Sequence, residues 1–258
     1  LPMPSSIATM KRKRSSSPSS AAATAAALTP PLSIEEDPSS TCLLTRAVHV
    51  LSTAATALSQ VTFLYQSDPT AREGLLQAVE CIQSVVDTGG KLIVCGVGKS
   101  GLVGRKTVAS LKSLGVACSF LHPIEALHGD LGDVRENDAI LFISYSGKTA
   151  ELLSLLPHIP RKTPILAITS QTRPLDCALL RPRVTSTSST SPSIAILLPA
   201  PIPEKEETSF GVSAPTTSTT VTIAVGDMLA LTLAEALYGG KTRTRDVFAR
   251  NHPGGAIG

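Results

Sequence analysis

Leu92-Ile93-Val94-Cys95-Gly96-Val97-Gly98-Lys99-Ser100-Gly101 sets four consecutive apolar residues ahead of three glycines, a lysine and a serine. The apolar run reads as a buried strand, and a helix-like pattern takes over from Leu102. A strand that empties through glycines into a helix start makes a phosphate cradle. The glycines let the backbone approach closely, and the helix's free N–H groups point at the anion. Lys99 inside this turn fits either a second phosphate contact or a group with its own chemistry.

Working outward, the same rhythm recurs. Strand-like runs at 91–95, 117–121, 139–143, 164–168 and 194–198 alternate with helix-like segments at 102–114, 149–157 and 174–180 and a long apolar one at 218–237. Near-continuous apolar strands separated by helices indicate an α/β fold with a parallel sheet covered on both faces, whose ligand sits beyond the C-terminal strand ends. Ahead of them, 41–66 and 71–88 carry helical periodicity, the second ending at Gly89-Gly90. Residues 181–193 are of low complexity and read as a mobile surface loop. A second loop follows at 199–207, and 181–206 as a whole reads as a loop insertion in a domain covering 41–258.

The 258 residues leave room for one large or two small domains. Hydrophobic content is 42%, with no Trp, 3 Tyr and 5 Phe, so the core is aliphatic. A net charge of +3 gives no argument for nucleic acid. The longest apolar runs read as strand-length, so no membrane span is expected. Five scattered cysteines lack metal spacing, and the apolar contexts of Cys81, Cys95 and Cys118 imply buried free thiols in a reducing, cytoplasmic setting. Residues 1–40 are rich in Ser, Ala, Thr and Pro, with no acid before Glu35, and read as a disordered tail. Their run Lys11-Arg12-Lys13-Arg14 fits a nuclear or organelle address as well as a solvated tail.

Two nucleotide templates fail on inspection. Gly96–Gly101 satisfies G-x-G-x-x-G, but the next strand ends at His122, with no acid for a ribose until Glu125. A nucleotide P-loop would need glycine where Ile93 stands, and Ser146-Gly147-Lys148-Thr149 has Phe142 in the equivalent place. What remains are hydroxyl clusters. Ser144-Tyr145-Ser146-Gly147-Lys148-Thr149 enters a helix, as does Ser213-Ala214-Pro215-Thr216-Thr217-Ser218-Thr219-Thr220. One hydroxyl suffices for a cap; clusters at two helix starts beside a glycine loop suit a polyhydroxy phosphate.

These strings, with His122-Pro123, Glu125-Ala126-Leu127-His128-Gly129-Asp130-Leu131-Gly132, Gly226-Asp227 and His252-Pro253-Gly254-Gly255-Ala256-Ile257-Gly258, resemble the arabinose-5-phosphate isomerase family of the sugar isomerase (SIS) fold. The resemblance spans roughly 41–258. It implies a three-layer α/β/α sandwich with a five-stranded parallel sheet, flavodoxin-like in kind. It also implies aldose–ketose isomerisation of a phosphorylated sugar, D-arabinose 5-phosphate to D-ribulose 5-phosphate through an enediol, with no required cofactor and a homo-oligomer, commonly a tetramer. The catalytic set it implies is Lys99, Glu151, Glu207 and His252. Glu207 or Glu151 would be the acid/base, His252 would assist ring opening or oxygen proton transfer, and Lys99 would neutralise charge. Gly98, Ser100, His128, Ser144, Ser146, Gly147, Thr149, Thr217, Ser218 and Thr219 would contact substrate. His122, with His128 as companion, is placed for a divalent metal such as zinc, although two imidazoles leave a zinc site incomplete. Lys148 stands where that family often has an acid. Rival readings are a non-catalytic sugar-phosphate sensor on the same fold, an isomerase of another phosphosugar and, last, a dinucleotide binder.

Overall fold

Three of the strands are buried at every residue, as a sheet covered on both faces requires. In the computed structural model, which describes residues 38–185 and 194–255, these are β1 (Leu92–Cys95), β3 (Ala139–Ile143) and β4 (Ile165–Thr169). With β2 (Cys118–Leu121) and β5 (Ala195–Pro199) they form one parallel sheet in the order β2-β1-β3-β4-β5. Leu92 pairs with Cys118 on one side and Ala139 on the other, so β1 lies inside the sheet. The chain divides into two units, Leu1–Thr41 and Cys42–Gly258; of the first, only 38–41, the start of a helix, are described. Residues 1–37 of the expected disordered tail, with its basic run, most of the 181–193 insert and the last three residues lie outside the described part, whereas 38–40 of that tail are helical.

Alternate side chains of each strand go to opposite layers. Leu92, Val94, Leu141, Ile143, Leu166 and Ile168 pack with α1 (Pro38–Ser67), α2 (Pro69–Asp87), α3 (Gly98–Ser113), and two later helices, the long one from Thr217 and the one from Lys241. Ile93, Cys95, Ile140, Phe142 and Ile165 face the other way, onto α4 (Pro123–Leu127), α5 (Ala150–Leu155) and the buried Cys177, Leu179 and Leu180. The expected three-layer α/β/α sandwich with five parallel strands is therefore the observed one. At the N-terminal strand ends, Asp138 is 1% exposed and accepts from the Lys91 N–H at 2.9 Å, the Lys91 Nζ at 3.0 Å and the Arg135 N–H at 2.9 Å. This tie joins the starts of β1 and β3 on the side of the sheet away from the ligand end.

Several expectations need correction. The 174–180 helix is a single 3₁₀ turn at Pro174–Asp176, followed after a buried stretch by the short α6 (Arg181–Val184). The Leu179 N–H bonds the Gly147 carbonyl at 3.2 Å, tying this segment to the loop after β3 instead of to its own helix. The span 181–206 is not one loop, because β5 lies inside it. The 199–207 loop turns helical at α7 (Glu206–Phe210). α3 starts at Gly98, four residues before its apolar periodicity does. The remaining helices are α8 (Thr217–Tyr238) and α9 (Lys241–Arg250), the latter unforeseen, as were α4 and α7.

The ground for expecting no membrane span also fails. Two described helices, α1 and α8, are long and apolar enough by length and composition to cross a bilayer. α8 is a core helix, with Val221, Val225, Leu229 and Leu233 buried. α1 buries only Ala57 and Val61, and leaves Leu43 67% and Leu51 72% exposed.

Candidate active site

Three connections converge at the C-terminal ends of the strands, where a parallel sheet places its ligand. The first runs from β1 into α3. Val97 is extended at the N-cap and supplies no side-chain cap, and Gly98 adopts φ +58. The turn folds back tightly enough that a Cβ on Gly101 would sit 2.8 Å from the Gly96 carbonyl oxygen. Lys99 and Ser100 thus ride on the first turn of α3, the lysine exposed.

The second connection runs from β3 to α5. Ser144 is buried, and its hydroxyl lies 2.7 Å from that of Thr149. Gly147 turns the chain at φ +65, and the Lys148 N–H reaches the Ser146 hydroxyl at 3.3 Å. Thr149 stands at the N-cap of α5 without capping it. Glu151 is half-buried in the helix's first turn.

The third connection runs from β5 through α7 into α8. Here Glu206, absent from the sequence-based set, is the most heavily engaged acid. Its Oε1 accepts from the Thr216 N–H at 2.5 Å, the Ser218 N–H at 3.0 Å and the Ser218 hydroxyl at 2.9 Å. The first N–H groups of a helix lack intrahelical partners and carry the positive dipole end, so a carboxylate is well placed there. The Ser218 hydroxyl is committed to this carboxylate. Glu207, next along, is exposed, and its Oε2 accepts from the Ser213 hydroxyl at 3.3 Å.

A cavity of about 490 Å³ opens between the first and third connections. Of the sequence-predicted residues it brings together Lys99, Ser100, Glu207, Ser218 and Thr219, and it adds Tyr145, Lys205, Glu206 and Ser213. Burial, then the neighbouring Glu206 charge, raises the Tyr145 phenol above its ordinary range, with a weaker opposing pull from Ser170. Gly98, Ser144, Ser146, Gly147, Thr149 and Glu151 surround the strand ends without lining this cavity. Thr217 is buried, and its hydroxyl has no partner among the described residues. His252, after α9, holds the Phe248 carbonyl through Nδ1 at 2.7 Å, stacks on the Phe248 ring at 4.1 Å and does not reach the cavity. No signal local to the sequence marks Glu206: its partners lie ten and twelve residues on, across a turn at Gly211.

His122 and His128 flank α4 as its N-cap and C-cap. Among the described residues the buried His122 Nδ1 has no partner, and no group of three His, Cys, Asp or Glu suited to a metal exists. Among the described residues, the two imidazoles therefore find no third ligand of the kind a zinc site needs.

The SIS domain matches residues 87–176, from the end of α2 through the turn after β4. A solved structure, Escherichia coli CFT073 c3406 in complex with arabinose 5-phosphate, is 30% identical, with a TM-score of 0.63 over 83% of this chain and 98% of that one. The chain belongs to the SIS-domain family. This family relationship bears out the resemblance read from the motifs. Arabinose 5-phosphate isomerase GutQ of E. coli K12 is 37% identical over 182 residues, covering 70% of this chain and 50% of GutQ. An uncharacterized protein of Helicobacter pylori J99 is 47% identical over 115 residues, 45% of this chain and 34% of its own length. The chain thus spans half or less of the length of these curated relatives.

Proposed function

We propose that this SIS domain is a phosphosugar aldose–ketose isomerase acting on D-arabinose 5-phosphate and D-ribulose 5-phosphate. The observation that carries the reading is the cavity at the strand ends, where the Lys99 turn faces carboxylates across a space lined with hydroxyls. The reaction moves a proton between C1 and C2 of the open-chain sugar. A carboxylate takes the C2 hydrogen, the C1 oxygen gains a proton, and an enediol results. Loss of the O2 proton and return of a proton to C1 complete the ketose. Glu207 is the proposed carbon acid/base. The Lys99 ammonium offsets the charge that develops on the enediolate oxygens in a site partly shielded from water.

The phosphate is assigned to the Ser144–Thr149 turn, whose hydroxyls crowd a helix start. The reaction exchanges no electrons with a partner molecule and calls for no redox cofactor. His252 is assigned to the site of a second copy in a homotetramer, which accounts for its distance from the cavity of its own chain. The cytoplasm, with the buried thiols reduced, is the proposed compartment. The GutQ similarity and the arabinose 5-phosphate in the E. coli neighbour favour the five-carbon substrate.

The direct test is a coupled assay of the purified chain on arabinose 5-phosphate, ribulose 5-phosphate and hexose 6-phosphates. Turnover of the first pair, lowered by about 10²–10⁴-fold in Glu207→Gln, supports the reading. Unchanged turnover in that variant removes Glu207 from its role. Binding without any turnover moves the chain to the sensor class.

A further inference from the structure

α7 has five residues, far fewer than the roughly 12–15 that an isolated helix needs to persist. Something else must hold it, and since it forms one wall of the cavity and carries Glu207, whatever holds it also places that acid. Four attachments are present among the described residues, the Glu207–Ser213 bond at 3.3 Å being one of them. Glu206 is bound to the backbone and side chain at the start of α8. The His49 Nε2 on α1 meets the Ser209 carbonyl at 3.1 Å, and its ring packs edge-on to Phe210 with centroids 5.7 Å apart. The Ser209 hydroxyl donates to Glu204 at 2.5 Å. Of these four, the Glu206 attachment alone reaches the first turn of α8, and it is made by a half-buried carboxylate. Thr216, the N-cap of α8, provides no side-chain cap of its own, so this helix start depends on an acid ten residues upstream.

We infer that Glu206 is a positioning residue, a clip that fastens the α7 strap to the first turn of α8 and thereby sets Glu207 against the cavity. Its role is that of an acceptor: one oxygen takes four donors, two N–H groups and two hydroxyls, and no proton transfer is required of it. The kinetic part of this inference rests on the isomerase reading; the structural part does not.

The test compares Glu206→Ala, Glu206→Gln and Ser218→Ala with the wild-type chain by two readouts. The first is hydrogen exchange at the Thr216 and Ser218 amides. Alanine should remove their protection, glutamine should largely retain it because its carbonyl can accept the same donors, and Ser218→Ala should lower it partly. The second is turnover of arabinose 5-phosphate. Alanine should lower kcat by about 10–100-fold with a smaller change in KM, since displacing a reacting group by about 1 Å costs rate on this scale. Glutamine should recover most of that loss and keep the wild-type pH profile. A glutamine variant as inactive as alanine, with protection intact, would make Glu206 a proton-transfer group and overturn the inference. Wild-type protection in the alanine variant would overturn it as well. If the wild-type chain turns over no phosphosugar, the isomerase reading falls, and the exchange data alone decide whether the clip exists.

Discussion

Gly101→Ala is the most discriminating single change in the turn between β1 and α3. An added Cβ would lie 2.8 Å from the Gly96 oxygen and 3.3 Å from its carbonyl carbon, both backbone atoms that cannot rotate away. Ordinary contact begins near 3.4 Å, so the turn must open by about 0.6 Å. Overpacking of this kind costs about 1–3 kcal/mol. Alanine inside a helix offsets about 1 kcal/mol of that. The net loss of about 0–2 kcal/mol lowers Tm by no more than about 8 °C at roughly 2–4 °C per kcal/mol. The same shift moves Lys99 and Ser100, two and one residues upstream, and a displacement of about 0.6 Å should cost about 10–100-fold in turnover. The assay pairs thermal melts with kcat/KM on arabinose 5-phosphate. A folded variant with a small Tm change and a large loss of turnover is expected. Wild-type kcat/KM would refute the claim that close packing of this turn positions the lysine.

Two further predictions concern stability away from the cavity. Asp138→Ala strips three donors of a shared buried acceptor and leaves Lys91 with Asp133, at 3.3 Å, as its ion partner. It should cost about 3–5 kcal/mol, a large part of the roughly 5–15 kcal/mol typical of a domain, and denaturant titration measures this. Burial holds the Cys95 thiol up to about 12 and the Cys81 and Cys118 thiols up to about 11, against an ordinary 9.0. Because the folded form keeps these protons longer, stability is full below pH 9 and declines as pH rises from there towards 12. For Cys95 the slope is about 1.4 kcal/mol per pH unit. Melts from pH 8 to 11 should show the decline, and Cys95→Ala should lessen it, with Cys81 and Cys118 supplying the remainder. A thiol reagent at neutral pH should react first with the exposed Cys42.

The sheet was legible because its signal is local. Runs such as Leu92–Cys95 and Ala139–Ile143 are apolar throughout, and only a doubly covered strand needs that. The hydroxyl-rich helix starts were legible for the same reason. α7 was not, because a five-residue acidic helix has no periodicity to display and is held by residues as distant as His49. The acidic run Glu204-Lys205-Glu206-Glu207 reads as a solvated face until the fold brings Thr216 and Ser218 onto Glu206. The 174–180 segment misled for the opposite reason. Its apolar residues suit a helix, but Leu179 spends its N–H on Gly147. α1 also hid its character, since its apolar residues are spread along 30 positions instead of forming one unbroken run.

On the proposed reading, this cavity moves a proton between C1 and C2 of a phosphosugar. Proton NMR of arabinose 5-phosphate incubated with the purified chain in D₂O tests it most directly. As ribulose 5-phosphate appears, solvent deuterium should enter its C1 and, on reversal, C2 of the arabinose 5-phosphate pool, and both changes should be suppressed together in Glu207→Gln. Retention of the C2 proton, with no ketose formed while the sugar phosphate binds, would contradict it.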